Sequence, residues 1–127
     1  MCGIAGLLNL NGESVSPVVL KRMTDSISHR GPDGEGQWIE GNIGLGHRRL
    51  AIIDLSPAGH QPMISADHRW VLSYNGEIYN YREIRTDLEA EGVWFRSQTD
   101  SEVVLYALAL WGTEALQEQA TLLGHDA

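Results

Sequence analysis

"MCGIAGLLNL", residues 1–10, carries the chain's single cysteine at position 2, at the head of an almost unbroken apolar run. The Asn11-Gly12 pair that follows is a turn signal, so the run reads as a buried strand ending in a turn. Once Met1 is removed, Cys2 is a residue with a free α-amine beside a nucleophilic sulfur. A free thiol ionises near ~8.5 and an α-amine near ~7.7–8.0, so such an amine is matched to take the thiol's proton and to return one to a leaving group. Gly3 and Gly6 leave room beside it for a substrate or another backbone. A lone cysteine is more often an inert buried side chain than a catalyst, and the choice falls to the rest of the chain.

Working outward, the pattern alternates between strands and helices. Ser16 and Pro17 suit an N-cap and a first helical position, and Leu20, Met23 and Ile27 recur at helical spacing until "RGPDG" (30–34) stops the helix. "GQWIEGNIGLGHRRLAII" (36–53) reads as two strands joined at Gly41-Asn42, and "RWVLSYNGEIYNY" (69–81) as a second hairpin around Asn75-Gly76. Two further helices are predicted. One covers 80–91, with Ile84 and Leu88 on one face and Gly92 at its end; the other covers 100–111, with Glu102 completing a capping box from Thr99. The expected class is α+β, with helices outside the sheets.

Length and charge narrow the function. At 127 residues the chain holds one domain at most. Seventeen acidic against nine basic residues give a net charge of −8, which argues against a nucleic-acid partner, since phosphate contacts need clustered positive charge. One cysteine makes no internal disulfide, and the N-terminus lacks a secretory pattern, so a cytoplasmic location is expected. The longest apolar stretch, "VVLYALALW" (103–111), is far short of the ~20 residues of a membrane span and reads as a core helix. His29, His47, His60, His68 and His125 show no metal-ligand spacing, so they are read as structural or surface groups and no metal site is expected.

Five segments, in this order, carry a more specific signal: "MCGIAG" (1–6), "SHRGPDGEG" (28–36), "GHRRLAIIDLSPAGHQPM" (46–63), "YNGEIYNYREIR" (74–85) and "TDSEVVLYAL" (99–108). Over about residues 2–111 the chain resembles the glutaminase domain of class II glutamine amidotransferases, and the "RGPD" and "NGEIYN" motifs favour the asparagine synthetase branch. The resemblance implies the N-terminal-nucleophile fold, an αββα sandwich whose catalytic cysteine begins an inner strand. It implies hydrolysis of glutamine to glutamate and ammonia through a Cys2 thioester, with no cofactor; ATP and Mg would belong to a synthetase domain or subunit. On the matching positions, Arg49 would grip the glutamine carboxylate and Asp100 its ammonium, with Glu77 in the same substrate set and Leu50, Ile52 and Ile53 lining the pocket. The Asn75 side-chain amide and the Gly76 N–H would hold the oxyanion, and Arg30 and Asp33 would support the site.

Plainer readings stand beside these. Arg49 is also a solvated strand-end charge, Asp100 a carboxylate favoured at a helix N-terminus, and Asn-Gly between apolar runs a hairpin turn without catalysis. The resemblance covers 1–111 as a partial glutaminase domain; residues 112–127, "GTEALQEQATLLGHDA", depart from the family pattern and read as an atypical tail, a short helix on Leu116, Ala120 and Leu123 or a disordered end. The expectation is a truncated domain lacking C-terminal strands, with exposed sheet edges that favour homo-oligomers or another polypeptide. A working glutaminase and a catalytically silent module for binding or assembly both remain open.

Overall fold

The structure is a computed structural model in which residues 2–51 and 56–115 are described. The first sheet has three antiparallel strands: β1 (Gly3–Leu8), β2 (Gly34–Glu40) and β3 (Ile43–Arg49), in the order β1-β3-β2. β2 and β3 form the expected hairpin, and Gly41 at its tip has φ +57°, a conformation glycine adopts without steric cost. β1 runs beside β3 from Gly3 opposite Arg48 to Leu8 opposite Ile43. That register brings the start of β1 to the end of β3.

Helix α1 (Pro17–Ser26) begins where the sequence indicates, with Ser16 Oγ accepting from Val19 N and proline in the first turn. It lies across one face of the first sheet, burying Leu20 and Thr24. Close approach requires glycine in β3: a Cβ on Gly46 would stand 2.6 Å from Thr24 Oγ1. The helix stops at Ser26, and a 3₁₀ turn, Ser28–Arg30, leads into the "RGPD" loop. The uniformly buried first strand does not occur. Among the described residues β1 is an edge strand covered on one face only, and Ile4 and Leu8 on the other face are 53% and 55% exposed.

The second sheet corrects the second hairpin. β4 (Met63–Ile64) and β5 (Val71–Leu72) pair antiparallel with each other, and no strand follows Asn75-Gly76 among the described residues. Gly76 also lacks the positive φ that a type I′ turn requires. The apolar-Asn-Gly-apolar pattern cannot reveal that side chains elsewhere satisfy this backbone. Gln61 Oε1 accepts from Tyr74 N at 2.6 Å, His47 Nε2 bonds Tyr74 O at 3.0 Å, and Ile78 N donates to Asp100 Oδ2 at 3.2 Å. The segment therefore has no need of a returning strand.

Helices α2 (Tyr81–Ala90) and α3 (Asp100–Trp111) match the expected spans and pack together over a core of Ile78, Ile84, Leu88, Phe95, Val103, Val104 and Ala107. Only half of the anticipated capping box forms. Thr99 Oγ1 accepts from Glu102 N, but the Glu102 carboxylate, itself buried, turns instead to Arg96 N, Ser97 N and Ser97 Oγ. These charge-assisted bonds shape the loop that delivers the chain to α3. α3 ends at Trp111 with Gly112 at φ +66°. Leu116, Ala120 and Leu123, the positions of the expected tail helix, lie outside the described residues, and no described helix is long and apolar enough to cross a membrane.

Leu20, fully buried between α1 and the sheet, is the contact on which that layer depends. Leu20→Ala is expected to lower unfolding free energy by about 2–5 kcal/mol. Val18→Ala, at a position 61% exposed, should change it by less than about 0.5 kcal/mol. Urea unfolding of both variants beside the parent checks the pair.

Candidate active site

The β1–β3 register decides what surrounds the cysteine. Cys2 immediately precedes β1, and Leu50 immediately follows β3, so the two meet: Leu50 N donates to Cys2 Sγ at 3.2 Å, and Sγ stands 3.6 Å from Leu50 O. Arg30 of the "RGPD" loop donates Nε to Cys2 O at 3.2 Å. Asp33 binds the other side, its N–H donating to Arg49 O at 3.0 Å and its Oδ2 accepting from Ala51 N at 2.9 Å. A further bond runs from Arg48 Nε to Gly31 O at 3.0 Å. The loop thus fastens the strand end that carries the thiol and the strand end beside it, through Arg30 and Asp33.

These ends open on a cavity of about 450 Å³. Cys2, Arg49 and Leu50 form one side of it. The extended segment after β5 supplies Tyr74, Asn75, Gly76 and Glu77, and the first turn of α3 supplies Asp100 and Ser101. Of the residues singled out in the sequence, Cys2, Arg49, Leu50, Asn75, Gly76, Glu77 and Asp100 all line this one space. Ile52 and Ile53 lie outside the described residues.

Charge across the cavity is divided. Arg49 donates Nη1 to Ser56 O at 2.7 Å, and its guanidinium lies against Gly59, where a Cβ would collide with it. Glu77 and Asp100 also line the cavity. Burial, and secondarily the neighbouring Glu77, hold the Asp100 carboxyl above its ordinary value of 3.8, although the Ile78 and Ser101 N–H groups oppose the shift. The Tyr74 phenol is pushed up to about 12, chiefly by burial and then by the Asp100 and Glu77 charges. The cavity therefore brings together a thiol, a held cation and two acidic residues.

Sequence reasoning missed Gln61, Tyr74, Gly59, Thr99 and Ser101 as cavity residues. All five fall inside the motif segments quoted above, but residue type alone does not mark them as lining a cavity, because their place there is set by the tertiary fold. The Asn75-Gly76 pair, by contrast, is no longer accounted for by a hairpin.

The family described as "Glutamine amidotransferase domain" matches residues 1–122. The chain belongs to this glutamine amidotransferase domain family. Two Bacillus subtilis proteins named asparagine synthetase (glutamine-hydrolyzing), numbers 1 and 3, are 40% and 38% identical to it over 91% and 87% of this chain, each match taking 18% of the relative. The protein named "Amidase chry2" of Gibberella zeae is 39% identical over 83% of the chain and 17% of its own length. The amidotransferase domain thus spans less than a fifth of the length of these relatives.

Gly59 gives a direct test of how the amidotransferase domain seats Arg49. In Gly59→Ala the new methyl should displace the guanidinium by about 1 Å or more to restore van der Waals contact. A crystal structure of the variant should show Arg49 moved and its bond to Ser56 O lost. An unmoved guanidinium would mean that the glycine does not shape the Arg49 seat.

Proposed function

We propose that the chain hydrolyses the side-chain amide of glutamine, with Cys2 as nucleophile. The observation that carries the reading is the convergence of Cys2 Sγ, Arg49, Asn75-Gly76 and Asp100 on one cavity in a domain of this family. Glutamine presents an α-carboxylate and an α-ammonium at one end and a neutral amide at the other. Arg49 is suited to the carboxylate through parallel N–H bonds, and Asp100 with Glu77 to the ammonium. Bound by both charges, the substrate would direct its amide toward the sulfur.

Attack of Sγ on Cδ forms the S–C bond and places negative charge on the amide oxygen. The Asn75 side-chain amide and the Gly76 N–H are the donors assigned to that oxyanion. Collapse breaks the C–N bond, and ammonia leaves with a proton returned by the Cys2 α-amine, which first removed one from the thiol. Water then cleaves the thioester to give glutamate and restore the thiol. The atoms balance without a cofactor. The amine is free to act only after Met1 is removed, so processing of the N-terminus is part of the proposal.

In this reading the fold is that of the N-terminal nucleophiles, a reading supported by Cys2 standing directly before the first strand of the sheet. The printed names of the Bacillus relatives support a synthetase domain or subunit as the partner that consumes the ammonia, and ATP and Mg would act there. A second reading, an amidotransferase-like module that serves assembly, is favoured by the open face carrying Ile4 and Leu8.

Asn75→Ala and Asp100→Asn separate the assigned roles. The first should lower kcat by ~10²–10³-fold, since its donor acts on charge that develops in the transition state. The second should chiefly raise KM. Because the Asp100 carboxyl protonates above its ordinary value, kcat/KM of the parent should fall on acidification from a pH above 3.8, and this limb should vanish in Asp100→Asn. Steady-state glutamine hydrolysis across pH checks both, and equal rises in KM for the two variants would contradict the assignment.

A further inference from the structure

The oxyanion donors assigned to Asn75 and Gly76 sit on a stretch that no strand ladder holds among the described residues, since β5 ends at Leu72 and α2 begins at Tyr81. Such a segment, left to itself, samples many conformations, whereas an oxyanion hole must be in place before the charge develops. The residue just before Asn75 is held through its own N–H and C=O by two buried side chains. Gln61 Oε1 accepts from Tyr74 N at 2.6 Å, and His47 Nε2 bonds Tyr74 O at 3.0 Å. Both ends of one residue are therefore gripped, one from the loop before β4 and the other from the middle of β3.

His47 is an expensive way to fill that position. Its side chain is 1% exposed, and Nδ1 has no hydrogen-bond partner among the described residues. A carbonyl oxygen only accepts, so Nε2 carries the proton, and in the neutral ring Nδ1 keeps a buried lone pair without a donor. Burial favours this neutral ring by lowering its pKa, against the opposing effect of the bond to Tyr74 O. An orphaned buried acceptor is destabilising, and an apolar side chain would avoid it. Packing alone thus gives no reason for an imidazole, whereas the bond to Tyr74 O does.

Gln61 extends the connection. Its Nε2 donates to Ser101 Oγ at 3.0 Å, in the first turn of α3 beside Asp100. On the other side, the Tyr74 ring lies so close to Gly76 that a Cβ there would meet Tyr74 Oη at 2.7 Å. The Tyr74 hydroxyl thus leaves room only for glycine at position 76, and a shift of Tyr74 is passed to Gly76 through the backbone they share.

We infer that His47 and Gln61 are positioning residues, a buried clamp on the Tyr74 backbone that fixes the Asn75-Gly76 donors and ties them to the α3 turn carrying Asp100. The inference rests on the glutaminase reading of the cavity and adds the residues that pre-organise it. Neither side chain needs to touch substrate. Loss of the clamp should lower kcat with little effect on KM, because the displaced groups act on the transition state.

The test uses the full chain with His47→Leu, which removes the donor, His47→Gln, whose amide nitrogen restores one at similar reach, and Gln61→Met, which removes the other arm. Hydrogen exchange of residues 73–77 is measured beside glutamine kinetics. In His47→Leu and Gln61→Met exchange should quicken by roughly tenfold, and kcat should fall by about 10–100-fold with KM within about twofold. His47→Gln should recover most of both. Unchanged exchange in both loss variants would overturn the clamp whatever the kinetics, and so would quickened exchange with unaltered kcat. If His47→Leu fails to fold, Gln61→Met decides by the same two readings. A parent chain with Met1 removed that hydrolyses no glutamine would instead overturn the reading of the cavity, and the clamp's catalytic role with it.

Discussion

The antiparallel register of β1 against β3 is the constraint on which the site depends. Pairing Gly3 with Arg48 brings the residue before one strand against the residues after the other, so the Cys2 sulfur lies 3.2 Å from Leu50 N with Arg49 beside it. A shift of one residue would turn every side chain of β1 to the opposite face and carry Cys2 away from the cavity. The hairpin of β2 and β3 fixes one flank of this register, and α1, lodged against Gly46, fixes its covered face. The "RGPD" loop then fastens the open ends through Arg30 on Cys2 and Asp33 on Arg49 and Ala51. Fold stability and placement of the Cys2 thiol are thus parts of one arrangement.

The second half of the cavity is assembled by different means. Among the described residues no main-chain ladder supports Tyr74 to Glu77; buried polar side chains hold Tyr74 and Ile78 on either side, and α3 contributes Asp100 at its first turn. That carboxylate serves two ends, accepting the Ile78 N–H while lining the cavity. Glu102, two residues on, is buried and fully committed to the loop at Arg96 and Ser97. The two acidic residues of one helical turn therefore differ in what surrounds them: Glu102 is consumed by backbone donors, whereas Asp100 keeps a face toward the cavity.

What was legible in the sequence follows the range of the forces involved. Local patterns sufficed for α1, with Ser16 and Pro17 at its start, for the Gly41-Asn42 hairpin and for the spans of α2 and α3, because caps, turns and helical periodicity act within a few residues. They failed at Asn75-Gly76, where distant Gln61 and His47 replace the hydrogen bonds of a hairpin. They failed also for the outer face of β1, since an apolar run does not say how many of its faces will be covered. The candidate site was legible by motif order, which named Cys2, Arg49, Asn75 and Asp100. The residues that hold them, Gln61, Gly59 and Ser101, were not, because their roles exist only in the tertiary contact.

The central claim is that Cys2, as the mature N-terminal residue, is the nucleophile of a glutamine pocket. Intact mass measurement after incubation with a diazo ketone analogue of glutamine tests it most directly, since the chain has a single thiol. The account predicts a protein without Met1 that gains one adduct on Cys2, at a rate slowed by excess glutamine. Labelling that proceeds equally fast on chains retaining Met1, or that glutamine does not slow, would contradict it.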